Sequence, residues 1–272
     1  MKIIIKTLFF LFSALIFSQE NCFIYPEKSP ERKACELCDK AITYQQGSKE
    51  SQLIFDEAIA TAPNFAWSYY QKAVPFLKRG FLYEGLEILN NAVELKPLEY
   101  LCYRAYWYWQ YQNHNLCIKD LETYYALPKA YLQFTPGGEK DMRLILGLAY
   151  AKQNNYKKAI KTIEDCIATY KTEDDIGLSD YHTLAILYIK IKNYNKAIET
   201  MNMQFTVNKD IPDSYYYLGL AYKGKLNFKE AKIQFNKALL KFQEDNYYSN
   251  PNAGFKAYKI DVETEINTLN SL

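Results

Sequence analysis

The sequence lacks the local signatures of catalysis and of cofactor binding. It has only two histidines, His114 and His182, and neither belongs to a metal-binding spacing such as H-E-x-x-H. No phosphate-binding glycine-rich loop and no G-x-S-x-G motif is present, and Gly137-Gly138 follows a proline, as in a turn. We therefore expect a protein that is not an enzyme and that has no cofactor and no metal site.

An excess of charge of one sign is also lacking. The chain has 33 Lys and Arg residues against 31 Asp and Glu residues, which gives a formal net charge of +2 at pH 7. Domains that bind nucleic acid usually present a strongly basic surface. The charge balance therefore predicts no nucleic-acid partner.

Long apolar runs are missing except at the N-terminus. There, Lys2 and Lys6 precede an apolar run from Leu8 to Phe17, and Ser18 follows it. This order is typical of a secretory signal, which we assign to residues 1–18. The run is short for a membrane span, and the alternative is an uncleaved anchor. We expect an exported protein, periplasmic or extracellular, with no integral membrane span after cleavage.

Six cysteines are present, and two of them form a C-x-x-C pair, Cys35 and Cys38. Haem attachment would need a histidine after Cys38, where Asp39 stands, and a zinc site usually needs a second pair. Two interpretations are favoured over the remaining alternatives, a metal site or free thiols. Cys22 bonds either Cys35 or Cys38 and fastens the N-terminal extension, or Cys35 and Cys38 form a redox-active pair. Export would favour disulfide formation.

What the sequence does contain is an internal repeat. The stretch LILGLAYAKQNNYKKAIKTIEDCI from Leu144 is similar to YYLGLAYKGKLNFKEAKIQFNKAL from Tyr216. Three small residues and one aromatic residue recur at one spacing in both stretches, as Gly147, Tyr150, Ala159 and Cys166 and again as Gly219, Tyr222, Ala231 and Ala238. Small residues at a helix crossing allow two helices to approach closely, so the pattern predicts packed helix pairs that must stack on one another.

This pattern resembles the tetratricopeptide repeat (TPR), whose motif is W-x2-L-G-x2-Y, A-x3-F and P with a period of about 34 residues. Leu146-Gly147 with Tyr150, Leu218-Gly219 with Tyr222, and Ala231 with Phe235 match it. The resemblance implies an all-α, right-handed α-solenoid of about six helix pairs with a C-terminal capping helix. Its predicted parts are an N-terminal extension (19–31), an array (32–245) with repeats at about 32–65, 66–97, 98–131, 140–173, 178–211 and 212–245, and a loop with the capping helix (246–272).

The resemblance also implies a binding surface on the first helices of the repeats. Aromatic and lysine side chains on that surface are suited to a protein or peptide partner. The candidate binding residues are Trp67, Tyr70, Lys78, Tyr106, Trp109, Lys152, His182, Lys190, Tyr216 and Lys223.

The predicted function is a non-catalytic exported scaffold that binds a protein or peptide. The Lys-, Asn- and Tyr-rich sequence and the signal ending in FSQ resemble exported repeat proteins of Bacteroidota, which suggests cell-envelope assembly or secretion. The alternatives are a thiol-disulfide active protein that uses Cys35 and Cys38, and a solenoid that binds glycan or cell wall through stacked Tyr and Trp rings.

Overall fold

The structure is a computed structural model, and it describes residues 20–172, 175–244 and 255–271. The predicted signal at 1–18 lies outside the described residues. The chain divides into two compact units, a first unit that ends at Tyr100 and a second that begins at Leu101. Both units are helical, and the described residues contain no strand apart from one isolated bridge between Phe134 and Asp141.

Six helix pairs and one final helix build the described chain, which confirms the predicted all-α fold of six repeats and a capping helix. A short 3-10 helix, Cys22–Ile24, precedes them. The pairs are α1 (Pro30–Ile42) with α2 (Lys49–Thr61), α3 (Ala66–Lys78) with α4 (Leu82–Leu95), α5 (Pro97–Gln110) with α6 (His114–Ala126), α7 (Met142–Lys152) with α8 (Tyr156–Ile167), α9 (Asp180–Lys190) with α10 (Tyr194–Val207), and α11 (Pro212–Gly224) with α12 (Phe228–Phe242); α13 is Lys259–Asn270.

Small residues hold the helices of a pair close together, as the repeat pattern predicts. A Cβ atom added to Gly147 in α7 would lie 2.5 Å from Cγ1 of Ile163 in α8, and one added to Gly219 in α11 would overlap the Phe235 ring in α12. Real Cβ atoms do not approach other side chains so closely. The glycines at these crossings are therefore required by packing.

The turn inside each pair has one recurring backbone shape. The residue before the second helix's N-cap has a positive φ in all six pairs, at Gly47, Gly80, Gln112, Asn154, Lys192 and Leu226. In the last four pairs an asparagine follows as N-cap, and its side chain accepts a hydrogen bond from a backbone N–H in the first helical turn. This bond satisfies an N–H that has no partner within the helix.

The C-terminal helix α13 covers the last repeat. Val262 is fully buried, and Ile266 and Leu269 pack with it against the cluster of Ala231, Phe235 and Ala238. The helix begins at Lys259, so Phe255 and Tyr258 belong to the non-helical segment that precedes it. Within the described residues, no helix is long and apolar enough to cross a bilayer.

Candidate functional site

The first candidate site is the group of cysteines at the start of the chain. Cys22 of the 3-10 helix and Cys35 of α1 are buried and paired through their sulphur atoms, with Cα atoms 5.5 Å apart. This separation is within the range that a disulfide spans. Of the two partners that the sequence left open for Cys22, the structure places Cys35 in the pair.

An acidic side chain lies beside this pair. Oδ2 of Asp39 is 3.3 Å from Sγ of Cys22, and Cys22, Cys35 and Asp39 together have the composition of a small metal site. Because the two sulphur atoms are joined to each other, they do not act as thiolate ligands in this arrangement. Burial raises the pKa of Asp39, and the nearby Glu36 raises it further.

Cys38 lies one helical turn from Cys35 on α1, but the two side chains have different neighbours. Its thiol is buried and lies 3.2 Å from the hydroxyl of Ser68 in α3. Burial raises the pKa of Cys38 to about 12. A redox-active cysteine needs an accessible thiolate, so the geometry does not favour the hypothesis of a Cys35–Cys38 redox pair.

The other three cysteines are also buried thiols. Cys117 and Cys166 occupy small-residue positions in α6 and α8, and Cys102 lies in α5. Burial raises the pKa of all three, to about 12 for Cys117 and Cys166. They act as small apolar side chains in the packing between helices.

In the first unit, the predicted binding residues are mostly parts of the packing. Trp67 is only 5% exposed and lies edge-on to Phe65, with ring centroids 6.3 Å apart. Tyr70 stacks on Tyr100 with centroids 5.0 Å apart. Lys78 is exposed, and its Nζ donates a hydrogen bond to Gln46. The binding role of these residues stays a prediction.

In the second unit, three of the predicted residues pack against aromatic rings, and a fourth is exposed. Trp109 is 6% exposed and packs near the His114 ring. Tyr106 lies edge-on to Trp107, and Tyr216 packs against Phe235. Lys190 is exposed at the end of α9.

The other three predicted residues of the second unit contact the C-terminal part of the chain. Lys152, at the end of α7, holds its Nζ 5.7 Å from the centroid of the Phe255 ring. The ring of His182 in α9 lies near the Phe255 backbone, which raises the pKa of His182. Lys223 in α11 forms an ion pair with Glu265 of α13.

Two residues that the sequence analysis missed complete this site. The hydroxyl of Tyr217 donates a hydrogen bond of 3.3 Å to the Lys256 carbonyl, and Oδ1 of Asp213 accepts one of 2.5 Å from the Ala257 amide. Tyr217 follows the predicted Tyr216 and therefore points about 100° around α11 from it. We call the surface formed by Lys152, His182, Asp213 and Tyr217 the inner face.

His182 is the buried centre of the inner face. Its Nδ1 is 2.9 Å from the Ser214 hydroxyl, and its backbone N–H donates to Gln204. Burial lowers the pKa of His182 to about 3, and the nearby Lys140 lowers it further, whereas the Phe255 backbone raises it. The ring is therefore neutral at pH 7, with one nitrogen that donates and one that accepts.

Lys140 belongs to the loop inserted between α6 and α7. It is 5% exposed, and its Nζ donates a hydrogen bond of 3.0 Å to Ser179 at the start of α9. Burial lowers the pKa of Lys140, while the buried carboxyl of Asp180 raises it. The insertion is thereby fastened to the fifth repeat, next to the inner face.

Comparison with known proteins identifies the repeat. Residues 141–172, which include α7 and α8, match the tetratricopeptide repeat family. Solved structures with the same arrangement of helix pairs are tetratricopeptide repeat proteins. The chain has the tetratricopeptide repeat fold. Comparison with curated protein sequences found no match.

Three solved structures illustrate this tetratricopeptide repeat fold. The structure of YrrB, described as a TPR protein with an unusual peptide-binding site, has a TM-score of 0.56 at 17% identity and covers 71% of this chain and 93% of its own. The C-terminal part of a TPR repeat-containing protein from Cytophaga hutchinsonii has a TM-score of 0.56 at 16% identity, with 78% of each chain covered. The Cut9–Hcn1 hetero-tetramer of the APC/C has a TM-score of 0.54 at 17% identity, with 89% of this chain and 43% of that chain covered.

Proposed function

We propose that the protein is a non-catalytic scaffold and that the inner face of its second unit binds an extended segment of a protein partner. The observation that carries this proposal is that the inner face already contacts a non-helical stretch of the protein's own chain. Tyr217 and Asp213 bind the backbone of that stretch through one donor and one acceptor. Side chains that bind backbone groups can hold peptides of many sequences.

The general repertoire of the fold supports the same function. Tetratricopeptide repeats stack helices into surfaces that bind other proteins, and a structural relative is described as having a peptide-binding site. Folds of this kind fix the shape of a surface without fixing its ligand, so the proposal rests on the inner face. No observation favours the glycan-binding alternative, and the burial of Cys38 argues against the thiol-active one.

We further propose that the protein is exported and acts in the cell envelope or in secretion. The signal-like residues 1–18 support export, and so does the pairing of Cys22 with Cys35, because disulfides persist mainly in oxidising compartments. Export is tested by fractionation of the native cell, in which the protein should be found outside the cytoplasm with residues 1–18 removed. Recovery in the cytoplasm with residues 1–18 retained would contradict this part of the proposal.

The binding function is tested by photo-crosslinking in the native cell. A photoreactive amino acid replaces Lys190, which is exposed at the end of α9, and in a control chain it replaces Lys161, which is exposed on α8. We expect one recurrent adduct from position 190, mapped to a single linear segment of the partner. A synthetic copy of that segment should bind the purified full-length protein and should bind the Tyr217→Ala variant at least about tenfold more weakly.

The control at position 161 distinguishes binding at a specific site from non-specific crosslinking. Equal adducts from positions 190 and 161 would contradict the proposal, because α8 does not contribute to the inner face. Equal affinity of the partner segment for the wild type and for Tyr217→Ala would contradict it as well.

A further inference from the structure

The segment Phe255–Ala257 crosses three repeats. It contacts Lys152 of the fourth repeat, His182 of the fifth, and Asp213 and Tyr217 of the sixth. The helix that follows it, α13, packs on the sixth repeat, and that packing does not require contacts with the fourth and fifth repeats. The segment Phe255–Ala257 therefore lies along the inner face.

The contacts have the form of peptide recognition. Two consecutive residues each bind the inner face through one backbone group: the Lys256 carbonyl accepts from Tyr217, and the Ala257 amide donates to Asp213. The backbone of the preceding residue, Phe255, lies near the His182 ring. Removal of the segment would leave the half-buried side chains of Tyr217 and Asp213 without these backbone partners. A peptide that offers the same backbone groups would restore both hydrogen bonds.

The side chains of the segment define which peptide would fit. Ala257 is 5% exposed, so its position accepts only a small side chain, whereas Lys256 points to solvent. Phe255 is half-buried beside the ammonium group of Lys152, as in a cation–π contact. The pattern is an aromatic residue, any residue, and then a small apolar residue.

The helix that follows keeps the segment close to the inner face. Lys223 pairs with Glu265, and Lys232 donates a hydrogen bond of 2.6 Å to Asn270, in addition to the apolar packing of α13. A tethered segment of this kind has an effective concentration of about 1 mM. A partner segment must therefore compete with a ligand that is always present.

We propose that Phe255–Ala257 is an intramolecular ligand of the inner face, and that the protein partner displaces it with an extended segment of the same aromatic-x-small pattern. This inference rests on the proposed function, whose partner it specifies. The affinity for the partner then depends on how tightly the inner face binds the protein's own segment.

The test uses the full-length protein with Ala257→Asp, which places a carboxylate in a buried position next to Asp213. The matched control is Ile260→Asp, at a residue that is 64% exposed. The ligand is the fluorescein-labelled hexapeptide FKAYKI, the sequence of residues 255–260, and binding is followed by fluorescence anisotropy. The peptide FKDYKI serves as the negative control.

We expect FKAYKI to bind Ala257→Asp at least about tenfold more tightly than it binds the wild type or Ile260→Asp, since only the first variant vacates the inner face. FKDYKI should bind none of the three proteins. Absence of saturable binding to Ala257→Asp up to about 1 mM would overturn the inference. Equal binding to all three proteins would overturn it too.

A second variant, Tyr217→Phe, tests the same proposal if Ala257→Asp does not fold. Tyr217→Phe removes one hydroxyl and preserves the ring, so it leaves the packing in place. We expect amide exchange at Lys256–Tyr258 to rise about 2- to 10-fold in this variant, as for the loss of one hydrogen bond. Unchanged exchange would overturn the inference. The proposed function is judged separately, by the adduct at position 190 in a chain whose Ala257 is intact.

Discussion

The two ends of the repeat array are closed by different means. At the N-terminal end, Cys22 is joined covalently to Cys35 of the first helix. At the C-terminal end, α13 is held by the packing of Val262, Ile266 and Leu269, and the segment before it is held by single hydrogen bonds. A covalent closure is permanent in an oxidising compartment, whereas a non-covalent closure is exchangeable. The exchangeable end is the one that meets the inner face.

The turns of the two units also differ, in the type of residue at the left-handed position. In the first unit, glycines at 47 and 80 take the left-handed position, which costs them little. In the second unit, Gln112, Asn154, Lys192 and Leu226 take that position, and the following asparagine caps the next helix. The turns of the second unit therefore contain backbone strain, and the hydrogen bond to the asparagine N-cap offsets part of its cost.

The largest expected effect concerns the covalent end. The double variant Cys22→Ser, Cys35→Ser should lower the free energy of unfolding of the first unit by about 3 kcal/mol, as for the loss of a cross-link that closes a loop of this length. Urea denaturation with hydrogen exchange by mass spectrometry measures this change. Reductant should reproduce it in the wild type and have no effect on the double variant. A loss confined to the second unit would contradict the assignment.

The non-covalent end should respond to loss of apolar packing and not to reductant. Val262→Ala removes two buried methyl groups and should lower the free energy of unfolding of the last repeat by about 2 kcal/mol. Ile260→Ala, at an exposed position of the same helix, is the control and should change it by less than about 0.5 kcal/mol. Equal effects of the two substitutions would show that α13 is not anchored as described.

The inner face should make the stability of the second unit depend on pH through His182. Its pKa is about 3 in the folded protein and 6.5 at its ordinary value, so below pH 6.5 only the unfolded chain gains the proton. The stabilising contribution is complete above pH 6.5 and is lost as the pH falls towards 3, by about 1.4 kcal/mol per pH unit.

Comparison of the wild type with His182→Gln isolates this dependence. Urea unfolding at pH 7, 6 and 5 should show the free energies of the two proteins diverging as the pH falls, with the wild type losing more. Contributions of His114, Lys140, Asp180 and Asp213 are common to both chains and cancel in the difference. Parallel curves would contradict the buried, neutral state of His182.

The asparagine cap of the fifth repeat should stabilise its second helix. Asn193→Ala removes the side chain that accepts from the Lys196 amide and should cost about 1 kcal/mol. Asn195→Ala lies exposed in the same helix and removes no cap, so it should stay within about 0.5 kcal/mol of the wild type. Thermal or urea unfolding of the three proteins tests the difference.

The smallest expected effect distinguishes the turns of the two units. Leu226 has a φ of 62° and is 75% exposed, so Leu226→Gly relieves strain at little packing cost and should stabilise the second unit by about 0.5 kcal/mol. Gly80→Ala introduces the same strain in the first unit and should destabilise it by about 1 kcal/mol. Changes of the same sign in the two variants would contradict the comparison.

The sequence was sufficient to predict the repeat architecture, because packing at the helix crossings restricts residue size at fixed spacings. Gly147 and Gly219 lie at such crossings. The choice of Cys35 over Cys38 could not be predicted, since both lie one turn apart on the same helix and only the position of Ser68 in α3 separates their environments.

The inner face was predictable only in part. Lys152, His182 and Lys223 follow from the register of the first helices, but their common contacts come from residues far along the chain, which no local spacing reveals. Trp67 and Trp109 were expected to line a binding surface, and their rings are instead buried. Periodicity assigns a large aromatic ring to one face of a helix, but it does not show whether a neighbouring helix buries that ring.

Amide exchange at Ala257 in the full-length wild-type protein, with and without an excess of the peptide FKAYKI, tests the central claim most directly. Its N–H donates to Asp213, so the amide should be protected in the free protein. At peptide concentrations several times the effective concentration of about 1 mM, its exchange should rise while α7 and α9 stay protected. Exchange at Ala257 that does not respond to the peptide would show that the segment is a fixed part of the fold and that the inner face is closed to partners.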